Sequence, residues 1–526
     1  MTFIQRLSSS LRRGTPDIAA LLLLLVLVAC FFWRLWTPKL EDRLRFPNGD
    51  FTQQYYPLRH FVAGSLAEGR LPFWNPYIFG GQPGLADPQA AALYPPSVLN
   101  ALFFHWNASP SKDSFPLEAL ELEAMAHIAW AADGTYLFVR LVLRLGIIPA
   151  LVAAVIFGFG GYLTGFPLDQ ITILETLAWL PWLLLTLHYA RPCRGSSRTA
   201  PTGLISSALA SFVLGCALLA GHPQSAMYLV YLSGFYALFH FICSQGRTTW
   251  PRWPNLLDGW LVSALPLFAP FVLGVGLAAA QLLPTWRFIE ESSREVLEYN
   301  FVQSGLNWFE LTEIWFPKIE GSTPLYVGIL TLLLAPLGLI SSGQRVEKGF
   351  WAGAALVSLL LALGGNSILF DLLYLALPYL KSVRSQERVL IIWGWSVALL
   401  AAWGMSALLT FTHAQQTRLR RYVRWLATLI PPLLLPFLSL WVLQTVDFAN
   451  IEINREVFKP FFERYRFMLI MFLLGWGLLA WRIRAWPLSK NGRISRLVWG
   501  ANGLGPHPPA PSPRCTRGSI YSKNYQ

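Results

Sequence analysis

A lone carboxylate, Asp50, stands in the stretch RFPNGDFTQQYYP just beyond the first strongly apolar run of the chain. A carboxylate within hydrogen-bond reach of an alcohol can act as a general base, taking the hydroxyl proton as the oxygen attacks an electrophile. The Asn48-Gly49-Asp50 triplet equally suits an ordinary turn in which the acid bonds nearby backbone. Around it, Gln53, Gln54, Tyr55, Tyr56 and Arg59 carry amide, phenol and guanidinium groups at spacings that one side of a short helix collects. Such groups bind sugar hydroxyls and phosphate. Trp74, Asn75, Gln82, Asp87 and Gln89 continue the polar and aromatic mixture, with rings that stack on sugars or anchor at a membrane interface.

Further along, GHPQ sets His222 and Gln224 in a tight turn between two apolar runs, where the imidazole either meets a phosphate or sugar hydroxyl or caps the following helix. Arg287 and Arg294 lie in PTWRFIEESSRE, and Arg384 and Arg388 in VRSQERV. A planar guanidinium forks onto two phosphate oxygens and keeps its charge near lipid. Local ion pairs with Glu290, Glu291 and Glu387 are the other use of these arginines. Glu118, Glu121, Glu123, His127 and Asp133 punctuate one apolar run, too many polar groups for a lipid-facing helix, and predict that it lines an interior cavity. Asp169 and Glu175 offer a second acid, although Asp169 also fits a helix N-cap.

The elements that must hold these groups follow from composition. In 526 residues, 54% are hydrophobic and 13% charged, with mean hydropathy +0.44, so the solvent of the fold is a bilayer. At about 20 residues per span, twelve candidates lie at 18–36, 118–140, 147–163, 172–190, 203–220, 224–243, 258–283, 324–341, 349–364, 389–411, 423–444 and 466–483. With residues 1–17 cytoplasmic, every even-numbered connection carries Arg or Lys, including Arg140, Arg191, Arg247, Arg345 and Arg418. The short odd-numbered ones at 164–171 and 221–224 carry none, as the positive-inside rule requires. This orientation makes 37–117, 284–324, 364–388 and 444–465 outer loops of one transmembrane domain over 18–485, the first with short interfacial helices near Tyr55–Ala67 and Asp87–Leu93. The tail 486–526 is rich in Pro and basic residues, loses all hydrophobic periodicity and is expected to be cytoplasmic and disordered.

The net charge of +13 falls between apolar runs and so serves topology; no nucleic-acid partner is called for. The five cysteines lack ligand or disulfide spacing and read as small apolar filler. Arg12 and Arg13 precede the first apolar run as in a signal peptide, but no small-residue cleavage pattern follows, and a retained anchor is expected. There is no GxxxxGK[ST], HExxH, GxSxG or dinucleotide fingerprint, and no clear internal repeat.

The ordered set GDFTQQYYP, GRLPFWNPYIFGGQP, LYPP, AGHPQ, QLLPT, YVGI, LALGGN and the Arg384–Arg388 cluster, spanning about residues 15–485, resembles the bacterial YfhO-like membrane protein family. That resemblance implies an all-α polytopic membrane protein of about twelve helices in the GT-C-type glycosyltransferase superfamily, in a bacterial inner membrane with both termini cytoplasmic. It implies transfer of a hexosyl or pentosyl unit from a polyprenyl-phosphate sugar donor to a glycan or lipid-linked acceptor of the cell envelope, outside the cytoplasm. Asp50 then matches the family's loop acid as the base. Arg287, Arg294, Arg384 and Arg388 hold donor phosphate, and Gln53, Gln54, Tyr55, Asp87, Gln89, His222 and Gln224 line the site. Related transferases often pair two acids in this loop, whereas Gly49 and Phe51 flank Asp50, so a divalent cation is not supported and no cofactor is assigned. A flippase or transporter of lipid-linked glycans is the alternative, because a polar second span and outer arginines also suit moving an anionic headgroup. A non-catalytic envelope assembly protein is a third reading.

Overall fold

The computed structural model describes residues 15–46, 49–107, 115–191, 201–245, 256–292, 297–316, 324–411, 413–445 and 455–484. The expected tail and Cys193, Cys515 and Arg294 lie outside them. The described residues are mostly helical, and their one strand pairing is antiparallel, Trp74–Asn75 with Gln82–Pro83.

Each of the twelve apolar runs falls on helix. Among the described residues, seven helical stretches from Ile147–Thr164 to Lys459–Arg484 are long and apolar enough to cross a membrane. Thr15–Phe31, Gly203–Leu219 and Ile329–Ile340 are apolar but shorter. The chain is an all-helical membrane protein.

Boundaries depart from the hydropathy pattern where backbone chemistry intervenes. The run 172–190 is two helices, Ile171–Leu177 and Leu180–Ala190, because Pro181 starts the second and has no N–H to return to the first. The helix expected to end near 283 runs as Leu256–Glu290 through Pro284. Ahead of Ile430–Thr445 stands a basic amphipathic helix, His413–Thr428, whose start hydropathy left as a connection and whose end it merged into the run 423–444.

Close packing follows small residues, as it must where lipid gives helices little hydrophobic reason to associate. Helices Ile329–Ile340 and Leu390–Thr410 touch backbone to backbone: a Cβ at Gly338 would sit 2.0 Å from the Leu400 carbonyl, and one at Gly404 2.0 Å from the Leu334 carbonyl. Trp395 fills the centre, edge-on to Phe138 at 5.2 Å and to Phe157 at 5.1 Å.

The two ends of the bundle differ. At one, Arg140 forks onto Asp17, Arg191 bonds His188 and His240, and Lys348 donates to the Ser341 carbonyl. At the other, the long segments converge. Gln281 and Thr285, at the end of the 256–290 helix, donate to the carbonyls of Leu85 and Ala86 at 2.6 and 2.8 Å. Gly365 donates to the Gln303 carbonyl and Gln386 to that of Ser304, both at 2.9 Å. This loop end holds the candidate site.

Candidate functional site

Asp50 opens a π-helical turn, Phe51–Tyr55, that runs into the helix Tyr56–Ala67. Pro57 cannot return an N–H to the carbonyl four residues back, so the ladder is interrupted near this junction, a local widening that often marks functional positions. Phe51 and Tyr55 are buried and anchor the turn, leaving Asp50 half-buried. Its Oδ2 accepts from Gln170 Nε2 at 3.2 Å. Asp169 comes close on the other side: a Cβ at residue 49 would lie 2.5 Å from its Oδ1, so Gly49 makes the approach of the two segments feasible. Asp169 does not cap the following helix, whose N-cap is Gln170.

Gln170 also accepts through Oε1 from Arg388 Nη2 at 3.1 Å, while Arg388 Nη1 donates to Gln224 Oε1 at 2.8 Å. Gln224 Nε2 in turn donates to the Arg384 carbonyl at 2.6 Å. The result is a continuous chain, Asp50–Gln170–Arg388–Gln224, drawn from four segments. The arginine segment is pinned from below: the Tyr162 hydroxyl donates to the Arg388 carbonyl at 2.7 Å, and the Tyr228 hydroxyl to Gln386 Oε1 at 2.6 Å. Arg388 Nε is buried with no hydrogen-bond partner among the described residues. One N–H of a fixed cation is thus left unpaired inside the protein.

His222 is buried beside this cation. The Ser225 N–H donates to its Nδ1 at 3.1 Å, so the ring caps the helix Pro223–Gln245 and its proton sits on Nε2. Burial, with Arg388 adding to it, pushes its pKa down to about 3 and keeps the ring neutral. The turn fits tightly beneath the first long segment: Gly221 adopts φ +93, and a Cβ there would meet the Pro88 carbonyl at 2.0 Å.

Gln54 Nε2 donates to Gln89 Oε1 at 2.6 Å, and the Tyr55 hydroxyl accepts from Gln89 Nε2 at 3.3 Å. Burial holds the Tyr55 phenol above its ordinary value. Asp87 caps the short turn Pro88–Ala90 through the Gln89 N–H at 2.9 Å, and burial raises its carboxyl. Gln54, Tyr55, Asp87 and Gln89 therefore form a wall built on itself. Gln53 is exposed, and its backbone N–H donates to the Gly49 carbonyl at 2.9 Å.

Beneath the wall lies a buried ionic cluster. Arg59 is 2% exposed and pairs with Glu175, which is fully buried, and with Ser97, which donates to Glu123. His127 Nε2 and Trp179 Nε1 both meet the Tyr94 hydroxyl, at 2.6 and 2.8 Å. The acids of the 117–141 helix are paired: Glu123 is enclosed by Ser97 and Asn100, while Glu118 and Glu121, which do line a cavity at the start of the helix, are met by Arg45. A basic residue of the segment after the first helix, Arg45, supplied what the span's own sequence lacked.

The arginines predicted as a set are separated. Arg388 enters the network. Arg384 is exposed and lies over the Phe301 ring, 4.9 Å from its centroid. Arg287 is exposed on the last turn of its helix. Among the described residues none of the three forms the expected ion pair with Glu290, Glu291 or Glu387. No group of three or more His, Cys, Asp or Glu that could hold a metal occurs among the described residues. Gln170, Tyr162 and Tyr228 were not singled out from sequence; the signal available for Gln170 was a lone amide at the head of an apolar run.

Compared with protein-family models, with curated proteins and with solved structures, the chain matches none.

Proposed function

We propose that this membrane protein is a GT-C-type glycosyltransferase with twelve spans and both termini cytoplasmic, whose loop end faces away from the cytoplasm. It moves a sugar from a polyprenyl-phosphate donor to a cell-envelope acceptor. The observation that carries the reading is Asp50 joined through Gln170 to Arg388, a carboxylate and a buried-edged cation fixed side by side on the end of the bundle poor in basic connections. The ordered motifs that resemble the YfhO-like family support it.

In this reading Asp50 takes the acceptor hydroxyl proton as that oxygen bonds to the sugar's anomeric carbon. The bond from that carbon to the phosphate oxygen breaks, and its electron pair leaves on polyprenyl phosphate. Arg388 holds the phosphate as negative charge gathers there. His222, neutral and with Nε2 protonated, donates to a phosphate or sugar oxygen.

Asp50→Asn is the test. It keeps size and hydrogen bonding but removes the proton acceptor, and a general base is worth about 10²–10⁴-fold in rate. Cells carrying it should insert the protein normally, lose the envelope glycan modification and accumulate the polyprenyl-phosphate sugar. Modification at wild-type level with no accumulation would sink the assignment.

A further inference from the structure

A cavity of about 250 Å³ opens away from the Asp50 network, between the segment following the first helix and the start of the 117–141 helix. On the helix side its lining is a single stripe, Glu118, Glu121, Leu122 and Met125, at the i, i+3, i+4, i+7 spacing of one face. Facing it are Leu35 and Trp36, then Arg43 and Arg45. The polarity is graded. Along about 10 Å of helix rise the stripe passes from two carboxylates to two apolar side chains, in the direction that leads into the membrane.

The charged end holds two cations and two anions, unequally committed. Arg45 pairs with both Glu118 and Glu121, and Glu121 also accepts from the Phe46 N–H at 3.1 Å, so Glu121, 2% exposed, is saturated. Arg43 donates through Nε to the Thr37 carbonyl at 2.9 Å and forms no ion pair among the described residues. Glu118 keeps 48% of its side chain exposed. At the apolar end, Trp36 and Leu122 are 46% and 38% exposed, so the mouth opens sideways, where lipid would stand.

We infer that this cavity binds the headgroup and first methylenes of a zwitterionic phospholipid bearing a primary ammonium. Arg43 takes the phosphate, Glu118 takes the ammonium, and Leu35, Trp36, Leu122 and Met125 cover the glycerol and upper acyl carbons. One cation outside any ion pair among the described residues and one half-exposed anion match a headgroup of both charges; a purely anionic lipid would leave Glu118 opposed. The inference needs the membrane only and does not depend on the transferase reading.

Native mass spectrometry of the purified full chain, supplied with equal phosphatidylethanolamine and phosphatidylglycerol, tests it. Wild type should retain phosphatidylethanolamine in preference. Arg43→Gln should lower that retention roughly tenfold, as expected for one charge-assisted hydrogen bond. Glu118→Gln should move the preference towards phosphatidylglycerol. Arg70→Gln, a control at an exposed pair with Glu68, should change nothing. Equal retention of both lipids by wild type, or an unchanged preference in Glu118→Gln, overturns the site. Should Arg43→Gln fail to elute as a single species, the Glu118→Gln comparison decides alone.

Discussion

Asp50 and Gln170 meet at 3.2 Å although 120 positions separate them, and the same amide that donates to the acid accepts from Arg388. An amide carries no titratable proton, so Gln170 fixes the acid and the cation in register without competing for the proton the acid would take.

Arg388 and Arg384 should therefore behave differently. Arg388→Ala is expected to raise the donor KM about tenfold or more, since a fixed fork and its charge are lost together. Arg388→Lys should recover only part of this, because a point charge cannot reach both Gln170 and Gln224. Arg384→Ala should have a far smaller effect. Steady-state kinetics with a polyprenyl-phosphate sugar checks all three; equal effects at 384 and 388 would remove the distinction.

His222 makes acid stability a readout of its burial. Its folded pKa of about 3 lies below the unfolded value of about 6.5. Between those values the unfolded chain binds the extra proton, so the stability His222 contributes is complete above about pH 6.5 and is lost as pH falls towards 3. The difference in Tm between wild type and His222→Gln, followed from pH 7 to pH 4 by thermal scanning in detergent, should shift steadily in favour of the variant. A constant difference would place the imidazole in contact with water.

Arg59→Met should destabilise by about 3–5 kcal/mol, because Glu175 and Glu123 would be left buried without their cation. Lower Tm and easier proteolysis near residue 70 would report it. Arg59→Met with Glu175→Gln should regain part of the loss, whereas additive losses would show that the residues act separately.

Much of the frame was legible in the sequence because span length and apolar composition are local properties. Asp50 stood out from its polar and aromatic company, and the structure sets it against Gln170. The pairing of Arg384 with Arg388 was not. Four positions apart, they share a face only if the segment is α-helical. Ser385 is instead left-handed at φ 60 and Gln386–Val389 is a tight 3-10 turn, which sends the two guanidiniums apart. The span boundaries at Pro181 and Pro284 likewise depended on which prolines the surrounding packing tolerates. Gln170 offered only a lone amide at the head of an apolar run, because its meaning lies in partners far along the chain, which no periodicity reports.

That separation sets a timetable for biosynthesis. Asp50 and Gln170 are both made early, but Arg388 follows Gln170 by 218 residues. At a synthesis rate of about 5–20 residues per second the interval is about 10–40 s. For that time the nascent chain holds the acid without the cation. On the proposed reading the site stays incomplete until the helix Leu390–Thr410 enters the membrane, and a ribosome stalled before that point leaves an inserted fragment without its arginine.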